Sequence, residues 1–308
     1  MRDVFFKTLF KQALKDKNII LITSDTGAIY HDQFKKKLKN QYINVGVAEQ
    51  NMIGVAAGLA LSGKKVYVYG ITPFVTLRCY EQIRVDLCFM NLPVTIVSIG
   101  AGFDYSTLGF THHGIEDIAV MRVLPNIQIY SPADDLMVAI MAKSVYNSRH
   151  PSYVRLDRQG TPLVYKNKKN IQFSKGFSLL RKGKDLCIVA TGRMVYNSLE
   201  IAKRLSQHSL DSGVMDIFRI KPLDSKEIWD SLKRYSYIIT LEEHCPEGGI
   251  GSIIAEVCAS KSKAPLVKSF NINGGICRRY GEREHLQSLC GIDISRITKS
   301  IVKSFQGR

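Results

Sequence analysis

The chain lacks any apolar run near the roughly 18 residues that a membrane-spanning helix requires, which excludes a helical membrane protein and favours a soluble one. Its seven cysteines (Cys79, Cys88, Cys187, Cys245, Cys258, Cys277 and Cys290) are odd in number, form no CxxC pair and lie mostly in apolar segments. Disulfide frameworks and structural zinc are thereby disfavoured, and reduced thiols in a cytoplasmic protein are expected. A signal-like apolar core is also missing from the start, MRDVFFKTLFKQALKDKN, because Lys7, Lys11 and Lys15 interrupt it. Val4, Phe5, Leu9 and Ala13 share one helical face instead, so this segment reads as an ordinary first helix. Acidic residues are scarce, 27 against 43 Lys and Arg, giving a formal charge of +16. The basic runs at 35–39, 166–169 and 181–184 lie far apart and carry no interleaved aromatic residues. Nucleic-acid binding is therefore not indicated, and the charge reads as a solvated surface that attracts phosphorylated substrates or an acidic partner as a secondary effect.

What the chain does have is length and alternation. Its 308 residues suffice for two domains, each with its own core. Short β-rich runs at 19–25, 42–47, 65–70, 94–100, 127–132 and 152–157 are followed by others at 185–192, 212–218, 237–243 and 266–272. Helical patterns at 49–61, 133–147, 194–207 and 250–260 fall between them. Strands apolar on both faces and separated by helices predict an α/β protein built of two consecutive parallel-sheet, three-layer domains. The polar, lysine-rich stretch near Gly160 and Pro162 marks the boundary: a first domain over 1–165, a linker over 166–180 and a second domain over 181–308.

One carboxylate stands out. In NVGVAEQNMIGVAAGLALSG, Glu49 heads a helix that is apolar on nearly every side, so burial against protein all around is expected. Gly54 and Gly58 give it a flat strip suited to a counterpart helix in a second copy. Glu49 lies at a strand-to-helix junction on the carboxyl edge of the sheet, where open α/β sheets bind ligands. Two readings follow from the residues alone: a charge favoured by the helix dipole, or a carboxyl in a dry site, tuned to exchange protons.

The downstream segments YGITPFVTLRCYEQIR, THHGIEDIAVMRVLPNIQIYSPAD and RLDRQG, with TGRMVYNSLEIAK, IKPLD and LEEHCPEGGIGSIIAEV in the second half, resemble the thiamine-diphosphate enzymes of the transketolase family. The resemblance covers nearly the whole chain and implies a pyrimidine-binding domain followed by a transketolase C-terminal domain. It implies that Glu49 hydrogen-bonds the aminopyrimidine ring and promotes its imino form, the cofactor supplying the electron sink. It places Phe74 and Tyr80, with Leu77 between them, where the family stacks aromatic side chains on that ring. His112 matches a histidine near the reacting carbons and substrate hydroxyls, Arg158 an arginine that holds a sugar phosphate, and Asp25 an acidic position near cofactor and subunit contact. The Glu242–Glu243 pair and the GGIG run read as structural or interfacial. A metal site pairing His112 with Glu116, or His113 with Asp117, has the right helical spacing but no third ligand.

Two departures shape the expectation. The chain has no GDG motif of the kind that holds Mg2+ and the diphosphate, so a separate subunit carrying the amino-terminal half is expected to supply both. The family's GxxDGPTH is STLGFTHH here, with Leu108 and Phe110 replacing an aspartate and a proline, which puts the usual ketose-phosphate specificity in doubt. Asp104, four residues upstream, is the candidate to compensate. The leading expectation is the second subunit of a two-component transketolase, transferring a two-carbon ketol unit from a ketose or its phosphate to an aldehyde. The alternatives are a subunit of a 2-oxo-acid decarboxylating or deoxyxylulose-phosphate-synthase-like enzyme, and a non-catalytic scaffold.

Overall fold

A computed structural model describes residues 1–168, 171–274 and 277–306. The first half runs α1 (Arg2–Ala13), β1 (Ile19–Thr23), α2 (Ile29–Lys37), β2 (Tyr42–Asn44), α3 (Glu49–Leu61) and β3 (Lys65–Ile71). It continues through the short helices α4 (Thr72–Thr76) and α5 (Tyr80–Gln82), a π-helical turn over Ile83–Phe89, β4 (Thr95–Ile99), α6 (Asp117–Arg122), β5 (Gln128–Tyr130), α7 (Asp135–Val145) and β6 (Ser152–Leu156). The second half holds β7 (Phe177–Arg181), β8 (Leu186–Ala190), α8 (Met194–Ser206), β9 (Ser212–Ile217), β10 (Arg219–Lys221), α9 (Ser225–Leu232) and β11 (Tyr237–Leu241). It closes with α10 (Ile250–Ala259), β12 (Leu266–Phe270), α11 (Arg283–Leu289) and α12 (Ile294–Gln306).

Among the described residues the strands form two sheets, ordered β10-β5-β6-β4-β3-β1-β2 and β12-β11-β8-β9-β7. Every residue of β1, β4, β6, β8 and β11 is buried, which is why those segments read as largely apolar rather than alternating, β6 alone among them carrying a charge, Arg155. Pairing is parallel except at two edges, where β10 runs antiparallel to β5 and β7 antiparallel to β9. The expected pair of α/β parallel-sheet domains is present, with antiparallel edges added, and β10 comes from the second half yet borders the first sheet. Its three residues are Arg219, Ile220 and Lys221, too short and too charged to show strand periodicity. Lys221 Nζ donates to the carbonyls of Arg122 and Leu124, fastening that edge.

The expected linker, 166–180, is exposed over 166–168 and packed in its later part; Lys169 and Asn170 lie outside the described residues. Its last four residues belong to β7, and the Phe173 ring stacks against Tyr130 and Phe218. Helix α3 also departs from expectation. It buries Met52, Ile53, Ala56 and Ala57 but leaves Gln50, Asn51, Gly54, Gly58 and Leu61 exposed, so it is covered on one side by this chain. All seven cysteines are free thiols. No helix among the described residues is long and apolar enough to cross a membrane.

In β9, Asp216 is wholly buried and its Oδ2 accepts a 2.6 Å hydrogen bond from the Tyr165 hydroxyl. Burial pushes its carboxyl up to about 8, partly opposed by that bond. A carboxyl raised in the fold binds more protons native than unfolded, so its stabilisation is lost as pH rises toward 8. Asp216→Asn has no proton to lose. Urea unfolding at pH 5, 7 and 9 should show the variant gaining on the parent as pH rises; parallel profiles would count against this assignment.

Candidate active site

Five strands of the first sheet, β1, β2, β3, β4 and β6, deliver their carboxyl ends to one edge, and the site is built from the segments that leave it. Past β2 the chain turns through Gly46, at φ +74°, and enters α3 with Glu49 as its first residue. Glu49 is 3% exposed. Its Oε1 accepts from the hydroxyl of Ser24, one residue beyond β1, at 3.2 Å, and its Oε2 accepts from Arg78 Nη1 at 2.7 Å. The carboxyl is therefore buried as expected, and it has a charged partner: a guanidinium faces it.

Arg78 lies just past α4, with its guanidinium carbon 4.1 Å from the centroid of the Phe74 ring. Phe74 meets the His112 ring edge-on at 5.1 Å, and His112 meets Tyr105 at 5.9 Å. Arg158 lies over the other face of this run, 4.6 Å from the Tyr105 centroid, and its backbone N–H donates to Asp104 Oδ2 at 2.7 Å. A continuous surface thus runs from Glu49 through Arg78, Phe74, His112 and Tyr105 to Arg158 and Asp104. Burial, reinforced by the nearby charge of Arg78, lowers the basicity of His112, which favours its neutral form as a hydrogen-bonding group.

The loop after β4 makes this approach possible. Gly102, at φ +57°, exchanges backbone hydrogen bonds with Gly114, which draws the 109–113 segment against the 100–105 turn. A side chain at Gly114 would meet the Gly100 carbonyl and Thr72, so the close pass requires glycine. Leu108 and Phe110 are 48% and 44% exposed and present an apolar rim where the resembled family has an acid and a proline.

Behind that wall is a buried ion cluster. Arg283, the first residue of α11, donates to Asp157 at 2.7 Å, to both oxygens of Glu243, and to the Ala101 carbonyl at 3.3 Å. Glu243 also accepts from Phe103 N–H at 3.1 Å and from the Gln287 amide. Burial alone would raise Glu243, yet Arg283 holds it below its ordinary value. Asp104, deprived of water and facing Asp157, is pushed up to about 6 against the pull of Arg283 and Arg158. Glu242, preceding Glu243 in the chain, accepts from the N–H groups of Ile250 and Gly251 at the start of α10. Both carboxylates of the Glu242–Glu243 pair are thus bound by groups of this chain.

Not every candidate joins the group. Tyr80 donates to the Val120 carbonyl at 2.8 Å and its ring packs with the core under α3, so of the two expected rings only Phe74 contacts the Glu49 group. Leu77 is 45% exposed. Asp25, at φ +58°, is exposed beside Ser24 and bonded to Asn44. Asp117 is engaged by Arg155 and Tyr153, not by His113, and no group of three or more potential metal ligands occurs among the described residues. Arg78, Tyr105, Ser24 and Arg283 were not anticipated; the signal for Arg78 is a lone cation in the apolar run FVTLRCY.

Residues 1–163 match the family description "Transketolase, pyrimidine binding domain", and residues 177–297 match "Transketolase, C-terminal domain". The chain is 37% identical over 267 residues to a subunit of the apulose-4-phosphate transketolase of Phocaeicola vulgatus, covering 86% of this chain and 85% of that protein. It is 34% identical over 307 residues to the 1-deoxy-D-xylulose-5-phosphate synthase of Halothermothrix orenii, covering 97% of this chain but 47% of that protein. Among solved structures it resembles a split-gene transketolase described as an inactive beta4 tetramer, with a TM-score of 0.85, 32% identity, and coverage of 98% and 96%.

Replacing Arg283 by Met leaves Glu243 and Asp157 buried without their shared cation. The expected loss is about 3–5 kcal/mol of stability, as for other buried pairs broken from one side. Urea unfolding measures it, and a loss below about 1 kcal/mol, the scale of an exposed pair, would show that the cluster does not hold the halves together.

Proposed function

The chain belongs to the transketolase family, and from that premise we propose that it is the second, beta-type subunit of a two-component transketolase. It transfers a two-carbon ketol unit from a ketose or ketose phosphate to an aldehyde, with thiamine diphosphate as cofactor. Residues 1–165 serve as the pyrimidine-binding unit, 166–180 as the connection and 181–308 as the C-terminal unit. The observation that carries the reading is the buried Glu49 carboxyl at the sheet edge, with a flat N–H-bearing group hydrogen-bonded to it and stacked on Phe74. These two contacts, an N–H donated to the carboxyl and a place over the Phe74 ring, are the ones an aminopyrimidine would make there.

When bound, the cofactor supplies a nucleophilic carbon and an electron sink for cleaving the bond beside a ketose carbonyl. Glu49 orients the ring and moves a proton at Oε2. Ser24 fixes the other carboxyl oxygen, and Phe74 provides the stacking face. His112 presents a neutral imidazole to substrate hydroxyls, and Arg158, 41% exposed, offers a planar cation to a phosphate or another anionic group at the far end of the sugar. Asp104 holds the Arg158 backbone and so sets where that cation sits. Asp25 stands beside Ser24 at the edge of the same site, and Tyr80 supports the helix behind it.

Mg2+ and the diphosphate are assigned to a partner subunit corresponding to the amino-terminal half of the family. Self-association is assigned to the bare face of α3. There Gly54 and Gly58 have open space above them, and the neighbouring π-helical turn leaves Val85 and Phe89 exposed, 79% for Phe89.

A second reading is favoured by the deoxyxylulose-phosphate synthase relative: a decarboxylating enzyme of the same cofactor class. Co-purification with the partner chain, followed by glycolaldehyde transfer from a panel of ketoses, tests the first reading. Pyruvate consumption with release of carbon dioxide would select the second. Glu49→Gln should lower turnover of the two-chain complex about a hundredfold or more, the usual scale for a lost proton-transfer group. Full activity in that variant would remove Glu49 from the chemistry.

A further inference from the structure

Arg78 stands between Glu49 and solvent. Its side chain is 42% exposed where that of Glu49 is 3% exposed, and Glu49 is its ion-pair partner among the described residues. Both of its contacts are ones the proposed pyrimidine ring needs: an in-plane N–H donor on Glu49 Oε2 and a flat face against Phe74. One carboxylate oxygen and one ring face cannot serve two planar groups at once.

We propose that Arg78 is a displaceable cap on Glu49, a planar cation that takes the place of the cofactor's pyrimidine ring and swings out when that ring enters. The inference rests on the reading of Glu49 as a cofactor-binding residue. Three physical points support it. One guanidinium N–H hydrogen-bonds the buried carboxyl, so a buried acid is not left without a partner. The same pairing occupies Oε2, the oxygen the ring would need, so the ring can reach Glu49 only after the cap has moved. The partly exposed Arg78 head exchanges its contacts for water at small cost, whereas Glu49, fixed by Ser24 and the start of α3, stays in place. Arg78 is thus a positioning residue that acts through Glu49, and it makes the cofactor compete for its own site.

The test is calorimetric titration of thiamine diphosphate into the two-chain complex with Mg2+ present, comparing the parent with R78M, R78Q and E49Q. If the cap is closed about nine-tenths of the time, its removal tightens the apparent affinity about tenfold. R78M should show this gain together with faster association, and R78Q, which keeps a polar head but loses the charge, should show it if R78M fails to fold. Equal or weaker binding by the folded Arg78 variants, with E49Q weakened, would overturn the cap while leaving the role of Glu49 intact. Binding by E49Q equal to that of the parent would overturn both.

Discussion

The guanidinium of Arg283 is the interaction on which the rest of the site depends. It joins Glu243, at the carboxyl end of β11 in the second sheet, to Asp157, at the carboxyl end of β6 in the first. Asp157 precedes Arg158, and Glu243 also accepts from the N–H of Phe103, beside Asp104 and Tyr105. The same cluster therefore fixes both ends of the wall along which His112, Tyr105 and Arg158 are arrayed. Two like-charged carboxylates gathered around one buried cation are stable only as a complete set, because each lost partner leaves a charge out of water.

That arrangement explains why a chain of two sheets serves one edge. The first sheet supplies the groups of the Glu49 surface through segments that follow β1, β2, β3, β4 and β6. Among the described residues the second contributes no group to the Glu49 surface, yet it holds the 100–105 turn in place through Glu243 and α11. A further tie lies one layer deeper, where Arg155 of β6 pairs with Asp117 at 2.7 Å and donates to the carbonyls of Gly114 and Glu243. The His112 segment is thus held at its far end by the first sheet's own core. The exposed side of α3, the helix that Glu49 begins, leaves this carboxyl bordering a surface that the described residues do not cover.

Much of this was legible in the sequence where the physics is local. Helix α3 was read to both of its ends because a strand, a turn glycine and an apolar run bound it. The buried strands were found because burial on both faces writes itself as consecutive β-branched and aliphatic residues. The edge strands β7 and β10 were missed because an edge is half solvated, and LLR or RIK carries no apolar period. In the site, Glu49, Phe74, His112, Arg158 and Asp104 were named in advance from motif order, and the structure brings these five to one surface. The ion-pair partner of Glu49 was not read from the sequence, because Arg78 is four positions from Phe74 and nothing in its spacing announces where a long flexible side chain will end. Arg283 was invisible for a stronger reason: its three carboxylate neighbours lie 40, 126 and 179 positions away, and only the folded topology collects them.

The central claim is that Glu49 and its neighbours form half of a cofactor site whose other half lies on another chain. The most direct measurement is equilibrium titration of thiamine diphosphate and Mg2+ against this chain alone, the partner subunit alone and an equimolar mixture, with turnover followed in parallel. The account predicts tight binding and ketol transfer in the mixture, and weak binding with no turnover by this chain alone. Tight binding and full turnover by the purified single chain would contradict it.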